Sequence, residues 1–225
     1  MYKQFMTSEE VLDIFKQTGG YIADSHIVYT SGKHGSAYLN KDAIYPHTAE
    51  VSILCRAIAE QFKGKGVEVV AAPALGGIVL MQWVAHHLSE IEGREVLGVY
   101  TEKTPPSPPL GKGGMGGSDQ IFTRGYDAYV KGKNVLVVED LLTTGGSVYK
   151  VVQSVVKAGG KVIAAAALVN RGKVTSHNVG DVPLFTLASV SLDAWDEPAC
   201  PLCQQGVPIN TTVGKGREYL AKKGK

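Results

Sequence analysis

The stretch VLVVEDLLTTGGSV, residues 135–148, decides how this chain is read. Four apolar residues lead into adjacent carboxylates, Glu139 and Asp140. Leu141, Leu142, Thr143, Thr144, Gly145, Gly146 and Ser147 follow before apolar character resumes. The run 134–138 reads as a buried strand. Ser147 to Ala158, with Val148, Val151, Val152, Val155 and Val156 at helical spacing, reads as an amphipathic helix. Two carboxylates ending a buried strand are costly unless they meet water, donors or a metal. The strand's carboxyl end is therefore expected to open on a solvent-filled crevice. Glycines let successive N–H groups turn toward one point, hydroxyls add donors, and a helix N-terminus adds partial positive charge. Such a loop cradles a phosphate, and the neighbouring acids suit sugar hydroxyls or a divalent cation. The ligand class implied is a sugar phosphate. An ordinary strand–turn–helix junction needs one capping Ser or Thr and one glycine, not two acids and five small residues. The Walker pattern GxxxxGK[ST] occurs nowhere in the chain.

Outward from this stretch the rhythm is regular. Thr7 and Glu10 stand in capping-box relation, Val11, Leu12 and Phe15 form a stripe, and Gly19–Gly20 end the first helix. A second helix is expected over 48–62, with Val51, Leu54, Cys55, Ile58 and Phe62 on one face. Strands are predicted at 68–72, 96–101, 161–169 and 183–190, with a helix over 78–90. Continuous apolar strands alternating with amphipathic helices imply an α/β fold, a mostly parallel sheet flanked by helices. Ligands bind at the carboxyl ends of such strands. Pro73–Gly77, Thr101–Lys103 and Glu139–Ser147 all fall there.

Hydrophobic residues make up 44% and charged residues 20% of the 225, with a formal charge of +2, as in ordinary globular enzymes. Nothing here resembles the concentrated basic face of a nucleic-acid binder. The basic stretch 214–225 reads as a solvated tail. The longest apolar run, 162–169, is far short of the ~20 residues of a membrane span. The first residues lack the apolar core of a secretion signal, and three cysteines argue against a disulfide framework. A cytoplasmic setting is expected, with no membrane and no nucleic-acid partner.

Residues 104–117 hold four prolines and five glycines and read as a flexible excursion. GKGGMG at 111–116 matches the dinucleotide fingerprint by spacing alone, because no strand leads into it and no helix opens from it. Cys200 and Cys203 form a lone CxxC, two ligands where structural zinc wants four, with His177 the nearest histidine along the chain. They read as two free thiols in a turn, although two copies of the chain could bring two pairs together. His86 and His87, adjacent on a helix, are expected to point apart, and Trp83 and Trp195 to lie in the core or an interface.

The 135–148 stretch closely resembles the phosphoribosyl-pyrophosphate-binding motif of type I phosphoribosyltransferases. Other segments resemble the orotate-specific branch: YTSGKHGSAYLNKDAIYP (29–46) its N-terminal substrate segment, APALGGIVLM (72–81) its pyrophosphate turn, and VNRG (169–172) the segment whose arginine meets the orotate carboxylate. The resemblance spans roughly residues 8–215. It implies transfer of phosphoribosyl from phosphoribosyl pyrophosphate to orotate, giving orotidine 5′-monophosphate and pyrophosphate. It implies a single domain over 1–225 with a small hood formed by the two chain ends, and a homodimer. Mg²⁺ would arrive on phosphoribosyl pyrophosphate, with no direct metal ligand from the protein. It makes Glu139 and Asp140 catalytic partners of the ribose and Thr143–Ser147 the 5′-phosphate loop. Leu141 and Leu142 complete that motif, and Leu75, Gly76 and Gly77 receive pyrophosphate. Lys103, opening a mobile catalytic loop, is the cation over the leaving group. Thr143, Arg171, Lys33 and Tyr38 are implied to hold orotate. The chain departs from the family in having Thr30 where many relatives have lysine. The 104–117 loop has few basic residues, with Lys112 or Arg124 the available substitutes. Transfer to another base, such as a purine, is one alternative; a nucleotide-sensing regulator on the same fold is another.

Overall fold

The computed structural model describes residues 6–105 and 118–224. Most of the Pro/Gly excursion, Lys112 and the 111–116 pattern lie outside the described residues. In chain order the chain forms α1 (Ser8–Gln17), β1 (Tyr21–Ile22), β2 (Ile27–Val28), β3 (His34–Gly35), β4 (Tyr38–Leu39) and α2 (Thr48–Phe62). Then come β5 (Val69–Pro73), α3 (Gly76–Glu92), β6 (Leu97–Lys103), β7 (Gln120–Phe122), α4 (Asp127–Val130), β8 (Asn134–Leu142) and α5 (Gly146–Lys157). β9 (Lys161–Asn170), β10 (Leu184–Ser189), α6 (Pro201–Gln204) and α7 (Gly216–Lys223) complete it. Two compact units result: residues up to Val11 with Thr48–Ser189, and Leu12–His47 with Val190 onward.

The first unit is built on a six-stranded sheet in the order β10-β9-β8-β5-β6-β7, parallel throughout except for β7 against β6. Strand alternation sends Val69, Ala71, Val135, Val137, Ala165 and Ala167 to one face, where Val148, Val151, Val152 and Val155 of α5 cover them. Val70, Ala72, Leu136 and Val138, pointing the other way, are equally buried, on the side where α3 runs. Both faces are thus covered, which is why these strands are apolar at every position. The capping box holds: Thr7 N–H donates to Glu10 Oε2 at 2.7 Å and Glu10 N–H to Thr7 Oγ1 at 3.2 Å. No helix among the described residues is long and apolar enough to cross a membrane.

One expectation changes and two features go unforeseen. The strand predicted over 134–138 continues to Leu142, because β9 supplies partners up to Leu142↔Asn170. Glu139 and Asp140 therefore lie within the strand. β7, three residues long and antiparallel, carries no periodicity to read. The basic C-terminal stretch keeps its charged side chains exposed but is ordered as α7: Gly216 packs against the Asn210 carbonyl, and Tyr219 meets the His34 ring edge-on at 5.1 Å.

The second unit joins the early chain to the late chain through short pairings. β1 pairs antiparallel with β4, and β2 with β3. His34 and Trp195 exchange backbone hydrogen bonds at 2.7 and 2.8 Å, and Asn210 N–H donates to the His26 carbonyl at 2.8 Å.

Candidate active site

In the first unit the chain runs from β5 outward to β6, then returns to β8 on the other side of β5 before continuing to β9 and β10. The strand order reverses between β5 and β8, and a crevice opens outside the carboxyl ends of strands at such a point. The turn after β5 and the loop after β8 both end there. Ala74 N–H donates to the Thr101 carbonyl at 2.8 Å, fastening that turn to the end of β6. The Ala74–Leu75 peptide is cis, and Leu75 is 83% exposed. The three predicted loops therefore share one sheet edge.

After β8 a cavity of about 110 Å³ is lined by Glu139, Leu141, Leu142 and Thr143 through Val148. A single water needs only ~10–15 Å³ by the same measure, so this is ligand-sized space. Glu139 is 9% and Asp140 4% exposed, more enclosed than a crevice-end pair. Adjacent strand residues face opposite sides of the sheet, so Glu139 lines the cavity while Asp140 does not. Asp140 Oδ1 accepts the Leu141 N–H at 2.6 Å, and Glu139 Oε1 accepts the Asp140 N–H at 3.1 Å. Thr143, Thr144 and Ser147 are exposed at the mouth.

Gly145 precedes α5 with φ +79°, a left-handed conformation unfavourable for other residues. A Cβ there would also lie 2.9 Å from the Asn178 carbonyl oxygen and 3.0 Å from Val174 Cγ1. Gly145 offers no capping side chain; the Gly146 N–H donates to Thr144 Oγ1 at 3.4 Å, and Gly146, Ser147 and Val148 line the cavity.

Arg171 sits directly after β9, half-buried. Its N–H donates to the Leu142 carbonyl at 2.9 Å, and Gly172 N–H to the same oxygen at 3.0 Å. The sequence shows VNRG but not how it is held. Asn170 clamps the turn, Nδ2 donating to the Val174 carbonyl at 2.8 Å and Oδ1 accepting Val174 N–H at 3.0 Å. An Asn at a strand end before a glycine was the available signal.

Lys103 ends β6 with an exposed side chain and no ion-pair partner among the described residues. Arg124, offered as a substitute cation, pairs with Glu102 at 3.2 Å. The Thr123 hydroxyl, then Arg124, hold the Glu102 carboxyl below its usual range. Lys33 and Tyr38 belong to the second unit, where Lys33 pairs with Asp196 at 3.2 Å and Tyr38 lies on β4, half-buried.

Two cysteine and histidine expectations are corrected. The histidines nearest Cys200 and Cys203 in space are His26 and His34, not His177. His86 and His87 do not diverge: both reach Glu90, at 3.7 and 3.2 Å, because α3 brings i+3 and i+4 to one side. His87 is engaged at its second nitrogen as well, by Ser52 Oγ at 2.9 Å, which marks a hydrogen-bonded helix contact.

A switch-point cleft with a loop of small residues behind an acidic strand end has the form expected of a sugar-phosphate site. Residues 40–195 match the family described as Phosphoribosyl transferase domain. The orotate phosphoribosyltransferase of Desulforamulus reducens is 34% identical over 203 residues, covering 90% of this chain and 95% of that one. The chain belongs to the phosphoribosyltransferase family, in its orotate phosphoribosyltransferase branch. Among solved structures, orotate phosphoribosyltransferase of Mycobacterium tuberculosis with inorganic phosphate superposes with a TM-score of 0.59 at 18% identity, covering 80% of this chain and 95% of that one. Adenine phosphoribosyltransferase of Thermoanaerobacter pseudethanolicus gives 0.57 at 19%, covering 80% and 99%. The shared fold therefore does not select the base.

Proposed function

We infer that the chain transfers phosphoribosyl from phosphoribosyl pyrophosphate to orotate, yielding orotidine 5′-monophosphate and pyrophosphate in pyrimidine nucleotide synthesis. The observation that carries this is the cavity lined jointly by Glu139 and the Thr143–Ser147 loop, with Arg171 fastened to its floor by the Leu142 carbonyl. In this reading Thr143–Ser147 and the amides opening α5 hold the 5′-phosphate. Glu139 and Asp140 favour the ribose ring as the bond from its anomeric carbon to pyrophosphate breaks and positive charge develops there. A ring nitrogen of orotate then forms the new bond and releases its proton. Leu75, Gly76 and Gly77 receive the pyrophosphate, and Lys103 adds charge over it. Arg171 and Thr143 take the base; a guanidinium suits a carboxylate, which a purine lacks.

Glu139 and Asp140 belong to no cluster of three or more metal-ligating side chains among the described residues. In this reading Mg²⁺, which keeps waters and substrate phosphates as ligands and needs few from protein, arrives on phosphoribosyl pyrophosphate. When bound, the ion neutralises charge on the pyrophosphate leaving group. A cytoplasmic setting suits three cysteines that are all unpaired, and a homodimer, checked by light scattering, completes the reading.

The test is spectrophotometric loss of orotate with phosphoribosyl pyrophosphate and Mg²⁺, with adenine, hypoxanthine and uracil run in parallel. Turnover of orotate alone supports the reading. Turnover of another base in its place overturns the assignment of base.

A further inference from the structure

The second unit gathers four groups that sequence spacing keeps far apart. The ligating atoms of His26, His34, Cys200 and Cys203 all lie within 4.8 Å of one another, and three of these residues are fully buried. His26 Nε2 is 2.9 Å from His34 Nδ1 and 3.6 Å from each of Cys200 Sγ and Cys203 Sγ, and Cys203 Sγ is 3.3 Å from His34 Nδ1. Tetrahedral zinc, with bonds of about 2.0–2.1 Å to nitrogen and about 2.3 Å to sulfur, sets N···S edges of about 3.6 Å and an N···N edge of about 3.3 Å. The cluster already has nearly that shape.

Without a cation, the donors that could meet the inward-facing lone pairs are the S–H groups of Cys200 and Cys203, weak donors at 3.3–3.6 Å. The His26 Nδ1 lies 2.7 Å from the Val207 carbonyl, an acceptor only, so the proton sits on Nδ1 and Nε2 presents a lone pair inward. His34 Nε2 is buried without a partner whichever ring nitrogen carries the proton, so it does not choose between the tautomers. If His34 Nδ1 were unprotonated, two lone pairs would face each other at 2.9 Å. A divalent ion between them accepts both. The bond from His26 Nδ1 to a backbone carbonyl is also the outer-shell contact that orients ligating imidazoles.

We propose that His26, His34, Cys200 and Cys203 form a structural Zn²⁺ site that clasps the early and late segments of the second unit. Each thiol gives its proton to solvent as its sulfur binds the metal. Two thiolates and two imidazoles select zinc over hard cations, and four protein ligands leave no open position for catalysis. The ion joins positions 169 residues apart, His34 to Cys203, where the unit otherwise relies on short strand pairings. Nothing in this site depends on the transfer reaction, so its test needs no substrate.

Full-length protein purified without chelators is analysed for metal by inductively coupled plasma mass spectrometry, and apoprotein is reconstituted with Co²⁺. Stoichiometric zinc, and a cobalt spectrum with thiolate charge-transfer and tetrahedral d–d bands, are expected. Zinc is expected to be lost in Cys200→Ser and Cys203→Ser and kept in Cys55→Ser. The cobalt spectrum is read on the wild-type chain, so it decides even where a variant fails to fold. Wild-type protein with neither bound zinc nor thiolate–cobalt bands overturns the proposal. So does a Cys200–Cys203 disulfide in protein kept under reducing conditions, or zinc lost in His86→Ala but kept in Cys203→Ser.

Discussion

Gly172 lies so close to Thr143 that a methyl on its Cα would stand 1.6 Å from the Thr143 carbonyl oxygen. The end of β9 and the start of the loop after β8 therefore share one backbone contact, and the Arg171 backbone is held beside it by a hydrogen bond to the Leu142 carbonyl. Gly172→Ala must displace one strand end from the other. Overpacking of this kind costs about 1–3 kcal/mol. The expected result is a lower Tm together with weaker binding of phosphoribosyl pyrophosphate, read by calorimetry and by KM. A variant with unchanged KM for both substrates would mean that the contact does not shape the site.

Glu139→Gln and Asp140→Asn keep the oxygens that accept the Asp140 and Leu141 N–H groups. Stability should hardly change. If the charges favour a cationic ribose ring, kcat falls by about 10²–10³, the scale of losing one aligned electrostatic contact in a water-poor site. Glu139 lines the cavity and Asp140 does not, so the Glu139 variant tests the direct contact and the Asp140 variant the charge behind it. Full activity in either variant removes that residue from the mechanism.

Lys103→Ala should leave Tm where it is, because the side chain is exposed and unpaired among the described residues. A fall in kcat of about 10²-fold with little change in orotate KM is the expected signature of a cation acting on the leaving group. An equal rise in both KM values with kcat intact would point to uniform binding instead.

Arg171→Ala retains the backbone bond to Leu142, since the N–H is not altered. Loss of a charged hydrogen bond to a carboxylate is worth about 1.5–3 kcal/mol. Orotate KM should therefore rise about 10–100-fold while that of phosphoribosyl pyrophosphate stays within about 3-fold. Equal effects on both would place Arg171 on the phosphate side of the cavity.

Cys55 is fully enclosed in α2, and burial pushes its thiol far above the ordinary cysteine range. The thiolate is the reactive form, so an aromatic disulfide reagent should not titrate Cys55 until the protein unfolds. Rapid reaction of all three thiols in the native protein would contradict this burial.

The sheet was legible because its cause is local. A strand covered on both faces must be apolar at each position, and Val69–Ala72 and Val135–Val138 are. Helices α2 and α5 carry their stripes in the same way, and α2 falls on 48–62 as predicted. The loop after β8 stands out in the sequence too, since acids followed by small hydroxyl and glycine residues suit a phosphate and its sugar, and a cavity forms there. The extension of β8 through Glu139 and Asp140 was not, because the partners that make those residues strand come from β9.

What the sequence settled by itself was the class: periodicity and a short run of chemistry-bearing residues, both set within a dozen positions. What only the tertiary structure decided was convergence. Gly172 against Thr143, Arg171 on the Leu142 carbonyl, and two histidines closing on a CxxC more than 160 residues away depend on packing that brings distant segments together. No local propensity encodes such contacts. They exist because, within each unit, the paired strands and their connections bring those segments side by side.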